Sequence, residues 1–271
     1  MSRITPVVEA LQSQGRRALI PYLVAGDPDI PTTLALMHEL VRQGADIIEL
    51  GMPFSDPSSD GPVIQLGAER ALAAGMTLSG VLDLVARFRE SDTDTPVVLM
   101  GYTNPVEITG YQAFARRAAA SGVDGVLLVD LPVGEADDWL AASREQELDT
   151  IFLVAPTTPA SRVEAICRHS SGYLYYVSLK GVTGAALSDP RVIEARVKEL
   201  KTQTELPVMV GFGIKDEESA VAMASASDGI IIGSAIVGRI AELGGGEPNP
   251  DAIRETLSLV GRIRSAIDHR G

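Results

Sequence analysis

Cysteine is almost absent. Cys167 stands alone, so no disulfide can form within the chain, as expected in a reducing compartment. Histidine is scarce too. His38, His169 and His269 lie far apart, with no Cys or His at ligand spacing, so no metal site is expected. Lysine occurs four times, at Lys180, Lys198, Lys201 and Lys215. A Schiff-base aldolase needs a buried strand lysine, and the only candidate, Lys180, falls in a segment that reads as a loop. Positive charge is in deficit: 23 Lys and Arg against 36 Asp and Glu leave a net −13. With no basic patch, no nucleic acid and no anionic membrane is expected as a partner. No apolar run approaches the ~20 residues of a membrane span. The stretch around Arg3 and Glu9 lacks a signal-peptide core. The expectation is an acidic, cytoplasmic globular protein.

The chain does have short apolar runs at regular intervals. Eight of them, at residues 18–24, 46–50, 96–100, 125–129, 150–154, 173–177, 207–210 and 229–232, are mostly continuous rather than alternating. Continuity marks strands covered on both faces, as in a parallel sheet. Segments with helical period lie between them; Leu34, Met37, Leu40 and Val41 form one such stripe. Eight strands alternating with helices in 271 residues match a closed (β/α)8 TIM barrel, an α/β fold. An open doubly wound sheet would favour G-x-G-x-x-G after the first strand, where this chain has Ala25-Gly26-Asp27-Pro28. Residues 1–271 read as a single barrel domain with extra helices at 63–74 and at 2–14, the latter capping the barrel bottom.

In a barrel, chemistry gathers at the C-terminal strand ends and the loops after them. Glu49 lies inside an apolar strand, where a charge is costly to bury, so its pKa rises or it finds a partner. A carboxyl tuned in that way both gives and takes a proton near neutral pH; a buried, hydrogen-bonded structural Glu is the alternative. The following loop, stiffened by Pro53, Pro57 and Pro62, carries Asp56 and Asp60. Asp60 reads equally as a functional carboxylate or as an N-cap for the next helix. Asp130 ends the fourth strand, where a structural hydrogen bond and a catalytic role are both open. Gly-Val-Thr-Gly at 181–184 reads as a lid with glycine hinges, or as a plain long loop. Glycines follow the last two strands, in Gly211-Phe212-Gly213-Ile214 and Gly233-Ser234. Such turns cradle a phosphate through backbone N–H groups. With no buried lysine and no histidine cluster, carbon–carbon bond chemistry run by carboxylates is what remains.

Ile-Glu-Leu-Gly-Met-Pro-Phe-Ser-Asp-Pro-Ser-Ser-Asp-Gly-Pro-Val-Ile-Gln, within residues 46–65, closely resembles the signature of the tryptophan synthase alpha chain family. Pro21, Asp27-Pro28, Asp130-Leu131-Pro132, Gly181-Val182-Thr183-Gly184 and the two glycine turns extend the resemblance over essentially the whole chain, in order. It implies a barrel that cleaves indole-3-glycerol phosphate to indole and glyceraldehyde 3-phosphate. It implies Glu49 as general acid–base and Asp60 as the group holding the indole N–H. Tyr22, Tyr102, Asp130 and Tyr175 would line the pocket, and Thr183 would touch Asp60 on closure. Gly184, Phe212, Gly213, Gly233 and Ser234 would hold the phosphate. No cofactor is implied in this chain. A beta chain partner, carrying pyridoxal phosphate, is implied in a complex of two alpha and two beta chains.

Ser58 and Ser59 replace the family's usual bulky apolar residue and Ala, on the loop that faces the beta chain, which predicts weaker coupling. Leu179 and Lys180 stand where the lid often has Arg. A stand-alone lyase, or a non-catalytic activator of a beta chain, are the competing functions. Retention of Glu49 and Asp60 argues against the second.

Overall fold

The apolar runs become one parallel sheet in the computed structural model, which describes residues 2–177, 190–211 and 213–269. Its strands are β1 (Ala18–Val24), β2 (Ile48–Gly51), β3 (Val97–Gly101), β4 (Gly125–Leu128), β5 (Asp149–Thr150), β6 (Leu153–Val154), β7 (Leu174–Val177), β8 (Val208–Gly211) and β9 (Gly229–Ile232). They run in the order β5-β4-β3-β2-β1-β9-β8-β7-β6. The expected fifth strand is thus split in two. Its first half pairs with β4 and its second with β7. The Ile151 N–H donates to Val126 O at 3.0 Å, and the Tyr175 N–H donates to Phe152 O at 3.2 Å. Residues 149–154 therefore join the two ends of the sheet and close the barrel.

Every residue of β1, β2, β4, β8 and β9 is buried. That explains the continuous apolar runs, because each strand faces the barrel interior on one side and helices on the other. The interior cluster takes Ala18, Ile20, Ile47, Val98, Leu127, Ile151, Tyr173, Tyr175, Met209 and Ile231. From below it receives Ile4, Val8 and Leu11 of helix Ile4–Ser13, so the N-terminal helix plugs the barrel bottom as expected.

Three aspartates just before strands stitch the same end. Asp46 accepts from the Leu19 N–H at 2.8 Å, Asp124 from the Val97 N–H at 2.8 Å, and Asp228 from the Val208 N–H at 2.9 Å. Arg264, Arg89 and Lys201 respectively pair with them. Stability is thereby concentrated at the N-terminal face, leaving the opposite face for chemistry. That face carries helices added to the basic repeat: Pro62–Ala73, Thr103–Thr109 and Ser234–Ile240. Among the described residues, no single helix is long and apolar enough to cross a membrane.

Candidate active site

Glu49 is wholly buried in β2. It is the register partner of Tyr22 on β1 and of Val98 on β3. Across the barrel, the Tyr173 hydroxyl donates to Glu49 Oε1 at 2.6 Å. Glu49 Oε2 has no partner among the described residues. Burial pushes the carboxyl up to about 7, against the lowering effect of the Tyr173 hydrogen bond. Both protonation states are then populated near neutral pH, as a group that gives and takes one proton requires.

Asp60 sits on the loop between β2 and helix Pro62–Ala73. Gly61 is the N-cap of that helix, with no side-chain cap bond, so Asp60 is not a cap. Its Oδ2 instead accepts from the Tyr102 hydroxyl at 3.0 Å. The same hydroxyl accepts from the Ser59 N–H at 3.0 Å, and the Phe54 ring packs on Tyr102 with centroids 5.3 Å apart. Gln65 Nε2 donates to Asp60 O at 2.9 Å. Arg70 pins the helix to the end of β1 by a two-pronged pair with buried Asp27, both bonds 2.8 Å. Burial raises the Asp60 pKa, and the Tyr102 bond opposes that rise.

Tyr22 and Tyr175 are buried too, and each leans over a glycine of the neighbouring strand. A side chain built at Gly51 would collide with the Tyr22 ring, and one at Gly211 with the Tyr175 ring. Burial first, then the charges of Asp60 and Glu49, push both hydroxyls far above the ordinary tyrosine range. Tyr22, Tyr102, Tyr175 and Asp60 therefore gather at the barrel mouth, with Glu49 and Tyr173 beneath them in the interior.

Asp130 is exposed at the rim. Its Oδ1 accepts from the Thr103 N–H at 2.7 Å and from Thr103 Oγ1 at 2.8 Å, which ties down the start of helix Thr103–Thr109. Gly213 follows β8 with φ 80°. Gly233 precedes helix Ser234–Ile240, and the nearest described atoms to a Cβ there would be those of Tyr22, at 3.6 Å. Thr183, Gly184 and Phe212 lie outside the described residues. Among those described, no group of three or more His, Cys, Asp or Glu is placed to hold a metal ion.

A family profile described as tryptophan synthase alpha chain matches residues 8–266. The chain belongs to the tryptophan synthase alpha chain family. Relatives of that name include one from Marinobacter nauticus, 55% identical over 99% of this chain and 98% of its own, and one from Laribacter hongkongensis, 53% identical over 99% and 100%. The crystal structure of tryptophan synthase subunit alpha from Legionella pneumophila str. Paris superposes with TM-score 0.90 at 44% identity, covering 99% of both chains. A chain of tryptophan synthase from M. tuberculosis in its aminoacrylate-bound form gives TM-score 0.86 at 37% identity, covering 98% of this chain and 100% of its own. As a member of this alpha chain family, the protein is a lyase of tryptophan biosynthesis.

Two site features escaped the sequence reading. Tyr173 is one, although strand alternation puts it on the same face as Tyr175. Ile108, 81% exposed, lies on the short helix that begins next to Tyr102. No sequence signal marked it, because Thr103–Thr109 was not expected as a helix.

Proposed function

We propose that Glu49 and Asp60 carry the cleavage of indole-3-glycerol phosphate to indole and glyceraldehyde 3-phosphate. The observation that carries this reading is Glu49 itself: fully buried, held at one oxygen by Tyr173, without a described partner at the other, and pushed up to about 7 by burial. Protonated Glu49 gives its proton to indole C3, which leaves an indolenine cation. The resulting carboxylate then takes the proton of the hydroxyl on the adjacent side-chain carbon. The bond between that carbon and C3 breaks, its electron pair returns to the ring, and the carbon–oxygen bond becomes the aldehyde. Asp60 accepts from the indole N–H, where positive charge develops, and so stabilises the cation electrostatically. Its Oδ2 is held by Tyr102, which leaves Oδ1 for the ring.

Tyr22, Tyr102 and Tyr175 wall the indole, with Asp130 at the rim. Gly184, Phe212, Gly213, Gly233 and Ser234 take the phosphate, and Thr183 belongs to the substrate site. Residues 1–271 act as one catalytic unit in the cytoplasm. No step asks for a cofactor in this chain.

The partner is a tryptophan synthase beta chain, which carries pyridoxal phosphate, in a complex of two alpha and two beta chains. Exposed Ser58, Ser59 and Ile108 belong to the contact face. The Ser59 N–H and Asp60 share the Tyr102 hydroxyl, so a partner on this face acts on the catalytic loop. Indole release from indole-3-glycerol phosphate, with and without a cognate beta chain, tests the reading. Release that rises with beta chain supports it. No release in either condition overturns it, and fast release with no response to beta chain favours a stand-alone lyase.

A further inference from the structure

Two polar atoms on paired residues of adjacent strands have no partner among the described residues. One is the buried acceptor Glu49 Oε2; the other is the hydroxyl of Tyr22, a residue 9% exposed, at the solvent-facing side of the same face. Buried polar groups are almost always hydrogen-bonded, so the orphaned carboxylate oxygen beside an uncommitted tyrosine hydroxyl calls for an explanation. Tyr22 and Glu49 are register partners, and their side chains therefore share the inner face. They do not satisfy each other. The Tyr22 hydroxyl is carried over Gly51, two residues nearer the mouth than Glu49, or about 7 Å along the strand. A ligand group that serves both would donate to the carboxylate and accept from the tyrosine. An alcohol does both.

Strand order gives the second argument. The sheet runs β2-β1-β9, which puts Tyr22 on the strand between Glu49 and the Gly233 turn. Gly233 itself lies beside the Tyr22 side chain. A substrate with its reacting carbon at Glu49 and its phosphate at Gly233 must run its hydroxyl-bearing chain across Tyr22.

We propose that the Tyr22 hydroxyl donates a hydrogen bond to the substrate hydroxyl whose proton Glu49 removes. The contact rests on the reaction assigned above. As that proton leaves, charge builds on the oxygen and the bond from Tyr22 strengthens. Tyr22 thus contributes more to the transition state than to binding. It works as a neutral donor throughout.

Tyr22→Phe tests the contact, read against two ligands: the substrate, and indole-3-propanol phosphate, which keeps ring and phosphate but has no glycerol hydroxyls. The variant is expected to lose about tenfold to a hundredfold in kcat, the range of a hydrogen bond to a charged group. KM should change little, the melting temperature should be unchanged or higher, and affinity for the hydroxyl-free analogue should stay within about twofold. Wild-type kcat in the variant overturns the proposal. So does an equal loss of affinity for the analogue, which would make Tyr22 a packing residue only. Wild-type protein that releases no indole removes the assigned reaction and this contact together.

Discussion

Tyr173 and Glu49 stand 124 residues apart in sequence, and their side chains meet at 2.6 Å across the barrel interior. That single bond holds one carboxyl oxygen and lowers the proton affinity that burial raises. It therefore fixes one carboxyl oxygen of Glu49 and moderates the rise that burial imposes.

Replacing Glu49 with Gln should leave the fold intact and reduce turnover by about 10²–10⁴-fold, the usual contribution of general acid–base catalysis. The same variant reports the buried charge. Glu49 moves from 4.5 to about 7 on folding, so the native state holds its proton more tightly than the unfolded one. Its stabilising effect is complete below pH 4.5 and is lost as pH rises through about 7. The full loss is on the order of 3 kcal/mol. Urea unfolding of wild type and Glu49→Gln should show the difference shifting in favour of Gln by about that amount between pH 4 and pH 8. A pH-independent difference would mean that Glu49 ionises like an exposed carboxylate.

Asp60→Asn should keep the Tyr102 bond, because the amide oxygen accepts as the carboxylate does. Stability should move by less than about 0.5 kcal/mol. Turnover should fall by about 10²-fold or more, since no charge faces the indolenine cation. Steady-state kinetics beside a melting curve separate the two effects. Full activity in the variant would leave Asp60 without a catalytic role.

The two barrel-mouth glycines should behave differently. Gly51→Ala drives a methyl into the Tyr22 ring and should cost about 1–3 kcal/mol of stability as overpacking. Gly233→Ala places its methyl in ordinary contact with Tyr22, at 3.6 Å, so the fold should tolerate it. Its effect should instead be weakened binding of glycerol 3-phosphate, followed by calorimetric titration. Unchanged affinity would place the phosphate elsewhere. Gly213 is a poorer test, because its positive φ makes any side chain strained.

Ile108→Asp should leave stability nearly unchanged, since the side chain is 81% exposed. In a titration of indole release with beta chain, the half-activating concentration should rise by about tenfold or more, as for a buried interface anchor. An unaltered titration would take Ile108 off the contact face.

The sequence by itself determined the barrel. Strands buried on both faces must be written as continuous apolar runs, and eight such runs with helices between them leave few architectures. It also marked Glu49, because a carboxylate inside an apolar run is conspicuous wherever the chain folds, and the loop after it carried the family signature. What the tertiary structure decided were the pairings. Whether Asp60 caps a helix or faces a ligand is undecidable from Asp-Gly-Pro, since both uses favour the same residues; Tyr102, 42 residues on, settles where its carboxylate points. For Asp130 the sequence leaves a structural bond and a site role both open, and only the fold brings its carboxylate to Thr103. The fifth strand reads as one run, yet it changes partner midway to close the sheet. Local chemistry fixes which side chains are buried, but only closure of the barrel brings β7 opposite β2 and gives Glu49 its tyrosine.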